Sequence, residues 1–285
     1  MAVKDIESEA LKGVLECKKH KGVETEKIIK YLKAIKNTKE DRESPDFLFM
    51  DGGKVIGVEH FLVDTIREAN NEKESVSRGI EESIPKNLEK YEYGKSFQKD
   101  ENNYVRATED VSKECVKYFN AVNNFDIKLF IKEFNRIACD IHDSKRALKY
   151  KKNIKNDKKV DEKDISIYYL IEIRYKKQVW NVVDKNGNEH KQAINGIPFT
   201  YDFVKSLKKL SNADYVILYF ADGINPKKDR FVYVLNMRDL ENTLIKDKIP
   251  VFYNFKAELD GSNADIKVER GNGGVNLSII TTRNR

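Results

Sequence analysis

The sequence predicts an α/β protein in which a mixed central sheet is flanked by helices. Amphipathic helical patterns fill the N-terminal region, and alternating or uninterrupted apolar strands begin near residue 164. Between these regions, a hairpin with a Gly-Gly turn interrupts the helical pattern at residues 52–53. Helices, a hairpin, a helical block and then alternating strands and helices are the order expected of a mixed sheet with helices on its faces.

A chain of 285 residues is long enough for one large domain or two small ones, and we expect one domain over residues 1–285. The content of 40% hydrophobic and 10% aromatic residues excludes a disordered chain. The N-terminus has no apolar run, and no segment approaches the ~20 apolar residues of a membrane helix. Three scattered cysteines are too few for a disulfide framework. We therefore expect a cytoplasmic protein that has no membrane partner.

Two amphipathic helices are predicted first, over residues 4–19 and 24–36. The hairpin follows over 46–64, and a polar, largely helical insertion is predicted over 65–158. The clearest helix of this insertion runs from about 126 to 148. Its apolar side consists of Ile127, Phe130, Ile131, Phe134, Ile137, Ala138 and Ile141.

Strands dominate the remaining sequence. Residues 165–175 alternate between an apolar face and a face of mixed polarity, as expected of a strand. Residues 214–222 form an uninterrupted apolar run of the kind found in a sheet centre. Asn186-Gly187 predicts a hairpin with a type I′ turn. Short helices are predicted near 201–210 and 237–246, strands at 230–236 and 249–256, and one edge strand in the C-terminal tail.

A two-residue turn at Gly52-Gly53 fixes the register of the first hairpin. Counting outward pairs Phe47 with Val58, so Asp46 lies directly opposite Glu59 on the same face. Such partners have Cβ atoms about 4.5–5.5 Å apart, and two carboxylates this close repel unless a cation lies between them. Mg²⁺ or Mn²⁺ suits this position, because a hard cation binds carboxylate and water oxygens and can activate water for phosphodiester hydrolysis.

Pro45-Asp46, the hairpin, and an apolar strand that ends in Gly57-Val58-Glu59 together resemble the PD-(D/E)XK nuclease superfamily. The resemblance implies a restriction-endonuclease-like fold and a Mg²⁺- or Mn²⁺-dependent nuclease that acts on DNA. It also implies that Asp46 and Glu59 are the metal-binding acids. Glu43 is the candidate for the extra acid that many members carry just before the motif.

The sequence departs from the family pattern at Phe61, which occupies the position of the catalytic lysine. One interpretation is that another cation substitutes, with Lys30 and Lys27 on the preceding helix and Arg174 as candidates. His60 is disfavoured because strand alternation directs it to the face opposite Glu59. The alternative is a catalytically inactive nuclease-like domain that binds DNA or a protein partner.

Residues 144–163 carry nine Lys or Arg residues against three acids, a local excess equal to the net charge of +6. A run of this kind suits a phosphate backbone, but from charge alone a solvated connector after a helix is the preferred interpretation.

Two Cys-x-x-His pairs, Cys17 with His20 and Cys139 with His142, raise a third possibility. A spacing of three residues puts both side chains of each pair on one face of a helix, as a Cys₂His₂ zinc site requires. The pairs are far apart in sequence and Cys139 lies on an apolar side, so core cysteines and surface histidines are the preferred interpretation.

Overall fold

The computed structural model describes residues 3–20, 22–64, 127–175, 178–194, 196–222, 230–257, 262–271 and 274–283. Contacts divide the chain into two compact units, Met1–Thr65 with Asp126–Lys256, and Ile66–Phe125 with Ala257–Arg285. The single domain expected over 1–285 stays a prediction. Residues 65–126 of the predicted helical insertion lie outside the described residues.

The first unit contains six α-helices within its described part. They are α1 Val3–Glu16, α2 Val23–Ala34, α3 Ile127–Phe134, α4 Ala147–Lys158, α5 Tyr201–Leu207 and α6 Leu240–Lys246. A π-helix, Asn135–Arg146, joins α3 to α4. Short 3₁₀ turns cover Lys36–Thr38, Glu162–Asp164 and Met237–Asp239.

Six strands form the central sheet. They are β1 Glu40–Asp41, β2 Phe47–Asp51, β3 Lys54–Asp64, β4 Ile165–Tyr175, β8 Tyr215–Asp222 and β9 Arg230–Asn236, in the order β1-β2-β3-β4-β8-β9. The pairs β3–β4 and β4–β8 are parallel, and the other neighbours are antiparallel. The predicted mixed α/β sheet flanked by helices is therefore confirmed, whereas its restriction-endonuclease-like type stays a prediction.

The remaining strands form small sheets. These strands are β5 Gln178–Val183, β6 Glu189–Ile194, β7 Phe199–Thr200, β10 Val251–Phe252 and β11 Asn254–Ala257. In the second unit, β12 Ser262–Gly271 and β13 Gly274–Arg283 form an antiparallel hairpin. One edge strand was predicted in the C-terminal tail, and β13 is that strand, at the edge of this two-stranded sheet.

The β2–β3 hairpin has the predicted register. Gly52 and Gly53 have φ angles of 54° and 92°, which a type I′ turn requires and which glycine adopts without steric cost. Pairing then runs from Asp51 with Lys54 to Phe47 with Val58. Asp46 lies immediately before Phe47, which is the first residue of β2 and the paired residue farthest from the turn.

The second hairpin differs from its prediction. Val183 pairs with Glu189, which leaves a five-residue loop instead of a two-residue type I′ turn. The Asp184 carboxylate accepts hydrogen bonds from the amides of Asn186 and Asn188 at 2.8 and 2.9 Å. An Asx-type loop therefore outweighs the local preference of Asn-Gly.

The two faces of the central sheet carry different helices. On one face, α1 and α2 cover a core that includes Phe47, Phe49, Ile56, Val58, Tyr168 and Leu170. Side chains alternate along each strand, so Gly57, Glu59 and Phe61 belong to the other face. There Gly57 permits close approach of α4, because a Cβ atom at Gly57 would lie 2.8 Å from Cδ1 of Ile154.

The π-helix changes which side of the 127–158 segment is buried. Phe130, Phe134 and Ala138 are buried as predicted, but Ile137 and Ile141 are only half-buried. Cys139, His142 and Asp143 are buried instead. Bonding from residue i to i+5 widens the turn and rotates later side chains relative to an α-helix. Two polar residues therefore enter the interior at a point where a regular α-helix would direct apolar ones.

None of the helices in the described part of the chain combines the length and apolar character needed to cross a bilayer.

Replacing Gly57 by Ala should lower the free energy of unfolding by about 1–3 kcal/mol, since the added methyl group meets Ile154 and Pro45 at 2.8 and 2.9 Å. Urea unfolding measures the loss. Ile154→Val in the Gly57→Ala background should recover part of it, because valine lacks the nearest atom, and Ile154→Val alone is the control. Unchanged stability of Gly57→Ala would show that α4 does not pack closely on β3.

Candidate carboxylate site

The structure brings Asp46 and Glu59 together in the interior. Only 7% of Asp46 and 5% of Glu59 is exposed. An Oδ2 atom of Asp46 accepts a hydrogen bond of 2.6 Å from the amide of His60, the residue after Glu59. Burial first, and then the charge of Glu59, raise the pKa of Asp46 to about 8. The two acids are therefore close enough to interact, and the interaction is electrostatically unfavourable.

Glu59 is bound by two side chains from the helical segment. Its Oε1 atom accepts a hydrogen bond of 2.7 Å from the hydroxyl of Tyr150 on α4, and it lies 3.3 Å from Nδ1 of His142. The Tyr150 oxygen and His142 Nδ1 are themselves 3.0 Å apart. The other oxygen, Oε2, is buried and has no hydrogen-bond partner among the described residues. A buried carboxylate oxygen without a donor is costly, and it marks a position where a cation would be stabilised.

Phe61 fills the space beside these acids. Its ring stacks on the imidazole of His142 with centroids 4.0 Å apart and an interplanar angle of 14°. It also meets Tyr169 edge to face at 5.6 Å. Phe61 thus holds the His142 ring in position, but it offers neither a charge nor a hydrogen-bond donor.

Asp143 anchors the π-helix that carries His142. Its carboxylate accepts hydrogen bonds from the Tyr169 hydroxyl at 3.2 Å and from the amides of Ser211 and Asn212 at 3.2 and 3.0 Å. These bonds join the π-helix to β4 and to the loop before β8. Because His142 directly precedes Asp143, the bonds to β4 and to this loop also hold His142 in its orientation.

The structure separates Lys30 from the carboxylates. Lys30 and Lys27 lie on exposed positions of α2, and α2 packs on the face of the sheet that carries Val58. Glu59 is on the opposite face. His60 also faces away from Glu59, as expected, and its Nε2 lies 3.1 Å from Oε2 of Glu172. The side chain of Arg174 lies outside the described residues.

Among the described residues, Arg146 is a cation near this site that the sequence did not single out. It ends the π-helix, is exposed, and its charge opposes the rise in the pKa of Asp46. Burial and the charge of Glu59 raise the pKa of Tyr150, and the charge and a hydrogen bond of Arg146 oppose that rise. The available signal was its spacing of four residues from His142 within a basic run, but the run suggested only general phosphate contacts.

Glu43 lies in a neighbouring groove rather than among the residues that contact the acid pair. This groove of about 500 Å³ is lined by Arg42, Glu43, Ser44, Lys149, Asn153, Asn156 and Asp157. Arg42 pairs with Asp157, and Asn153 donates a hydrogen bond of 3.2 Å to the carbonyl of Ser44. The groove therefore lies between the segment that leads into Asp46 and one side of α4.

Most of the basic run at 144–163 forms α4 and its ends. Lys149, Lys152 and Lys155 are exposed, whereas Lys158 pairs with Glu40 at 2.6 Å. The solvated lysines on α4 are compatible with both interpretations of the run, a phosphate-binding surface and a soluble helix face.

The two Cys-x-x-His pairs do not meet. Cys17 belongs to the core under α1, whereas His142 lies on the opposite face beside Glu59. Burial raises the pKa of the Cys139 thiol to about 11, which disfavours the thiolate that zinc requires. Across the described ranges, no group of three or more His, Cys, Asp and Glu residues is arranged to hold a metal ion. A Cys₂His₂ site is thereby excluded for these four residues.

Comparisons with protein-family models, curated proteins and solved structures find no match for this chain.

Asp46 should make the metal-free protein less stable as the pH rises. Its carboxyl keeps a proton in the folded state to about pH 8, whereas an unfolded aspartate loses it near 3.9. The folded state binds more protons between these values, so the free energy of unfolding falls as the pH rises through this window. When urea unfolding is measured across this pH window, the free energy of unfolding should fall less for Asp46→Asn than for the wild type. The exposed Asp51→Asn is the control, and equal slopes for wild type and Asp46→Asn would contradict the raised pKa.

Removing the Tyr150 hydroxyl should destabilise the fold by about 1–3 kcal/mol, because Tyr150→Phe deprives buried Glu59 of its closest donor. Chemical unfolding compares this variant with Tyr233→Phe. Tyr233 is also buried, and burial alone raises the pKa of its hydroxyl to about 12. If both variants lose a similar free energy of unfolding, the hydrogen bond from Tyr150 to Glu59 contributes little to stability.

Proposed function

We propose that this protein is a divalent-metal-dependent nuclease that hydrolyses DNA phosphodiester bonds at Asp46 and Glu59. The observation that carries the proposal is the buried Asp46–Glu59 pair, in which Glu59 Oε2 has no donor among the described residues. The similarity of Pro45-Asp46 and Gly57-Val58-Glu59 to the PD-(D/E)XK pattern supplies the substrate class.

The donor set fits Mg²⁺ or Mn²⁺. Two carboxylates are the usual protein contribution to a Mg²⁺ site, in which water and phosphate oxygens complete the coordination. Burial first, and then the charge of Glu59, raise the pKa of Asp46, and a cation between the two acids would offset both effects. A bound cation of this kind supplies Lewis acidity, which lowers the pKa of a water ligand and polarises a phosphoryl oxygen.

The surrounding residues hold the pair in position. Tyr150 and His142 fix Oε1 of Glu59, which leaves Oε2 for the cation. The His60 amide holds one oxygen of Asp46. In the reaction, a water oxygen forms a bond to phosphorus and the bond from phosphorus to the leaving sugar oxygen breaks. One water proton passes to solvent, and the leaving oxygen takes a proton.

A catalytically inactive nuclease-like domain is the second candidate. It is favoured by Phe61, which is buried against His142 and lacks the charge of the family lysine. Such a domain would bind DNA through the exposed lysines of α4, and its affinity would fall with salt concentration.

Cleavage of plasmid and single-stranded DNA with Mg²⁺ or Mn²⁺ tests the proposal. Asp46→Ala and Glu59→Ala should reduce cleavage to the level seen with a chelator, since each change removes a metal ligand. Asp51→Ala is the matched control, because Asp51 lies on the same hairpin but is exposed and bonded to Tyr31 at 2.7 Å. A wild-type protein that binds DNA in a salt-sensitive manner without cutting it would support the inactive domain instead.

A further inference from the structure

Arg146 has a defined position relative to the carboxylate pair. His142, Arg146 and Tyr150 are spaced four residues apart on one continuous helical segment, so their side chains lie along one side of it. The first and last of these meet over Glu59, at 3.3 and 2.7 Å from the same oxygen. Arg146 lies between them in this row, and its charge opposes the rise in the pKa of both Tyr150 and Asp46. Unlike its two neighbours, it is exposed and accessible to a ligand.

We propose that Arg146 supplies the positive charge that contacts the scissile phosphate, in place of the lysine that Phe61 replaces. This inference rests on the proposed nuclease function and names a further catalytic residue for it. A guanidinium presents several donors in a fixed plane and pairs with two phosphate oxygens at once. Held next to the acid pair, it would stabilise the negative charge that grows on those oxygens during hydrolysis.

The other described cations near the hairpin fit this role less well. Lys30 and Lys27 are on the opposite face of the sheet from Glu59. His142 is buried between Phe61 and Glu59, where its Nδ1 is already engaged. Lys149 lines the groove that contains Glu43. Arg146 alone among these residues combines exposure to solvent with a place in the helical row between His142 and Tyr150, the residues that bind Glu59.

The repulsion between Arg146 and a metal ion provides a readout that does not depend on activity. Because Arg146 is a cation next to Asp46, its removal should leave Mn²⁺ affinity unchanged or higher. If Arg146 merely supported the geometry of the acids, its removal would weaken Mn²⁺ binding. Metal affinity and cleavage should therefore change in different directions when Arg146 is a phosphate-contacting residue.

The experiment compares Arg146→Ala, Arg146→Lys and Lys145→Ala in the full chain. Arg146→Ala should reduce Mn²⁺-dependent cleavage by about 10²–10³-fold, the usual effect of removing one transition-state donor. Arg146→Lys should retain part of the activity, because it keeps the charge without the planar fork. Lys145 is an exposed neighbour on the same π-helix, and its loss should change cleavage by less than about fivefold. Calorimetric titration with Mn²⁺ and thermal unfolding accompany each variant.

The outcomes separate this inference from the proposed function. Wild-type cleavage that depends on Asp46 and Glu59 but is unaffected by Arg146→Ala would overturn the role of Arg146 and leave the nuclease intact. Weakened Mn²⁺ binding by Arg146→Ala would assign it a structural role and also overturn the inference. A wild-type protein that neither cuts DNA nor binds Mn²⁺ would overturn both proposals.

Discussion

The opposition of two buried carboxylates is the constraint on which the arrangement of the first unit depends. In a site of low polarity, ionising both Asp46 and Glu59 would create a repulsion that water does not screen, and donors from elsewhere in the fold must stabilise the charge that remains. The His60 amide provides one donor from the hairpin itself. Tyr150 provides another, and His142 lies close enough to contribute, but both come from a segment more than 80 residues away in sequence. Packing of that segment on β3 is therefore coupled to the charge of the site.

The π-helix gives this segment its chemical character. Its wider turn brings His142 and Asp143 into the interior, where one contacts Glu59 and the other ties the segment to Tyr169 and the loop before β8. π-helical turns are uncommon and frequently occur at functional sites. Here the turn has a concrete consequence, since it leaves Arg146 exposed next to two residues that are buried against the acid pair.

Phe61 links the hairpin to this helical segment. A lysine at its position would bring a charge next to Glu59, whereas the uncharged phenyl ring stacks on His142. The positive charge of the site must then come from outside the hairpin. The resemblance to PD-(D/E)XK nucleases rests on the acids in the sequence, and Phe61 is the position at which the sequence departs from that pattern.

The sequence by itself determined the features that depend on local pattern. Gly52-Gly53 fixed the turn, the turn fixed the register, and strand alternation then assigned Asp46 and Glu59 to one face and His60 to the other. The mixed α/β class followed in the same way from apolar periodicity. Only the tertiary structure decided which distant residues meet the acids, because pairing of Tyr150 with Glu59 spans 91 residues and leaves no local signal. It likewise decided that, among the described residues, Arg146 is on the same face of the sheet as Glu59 and Lys30 is on the other, since this depends on which face each helix covers.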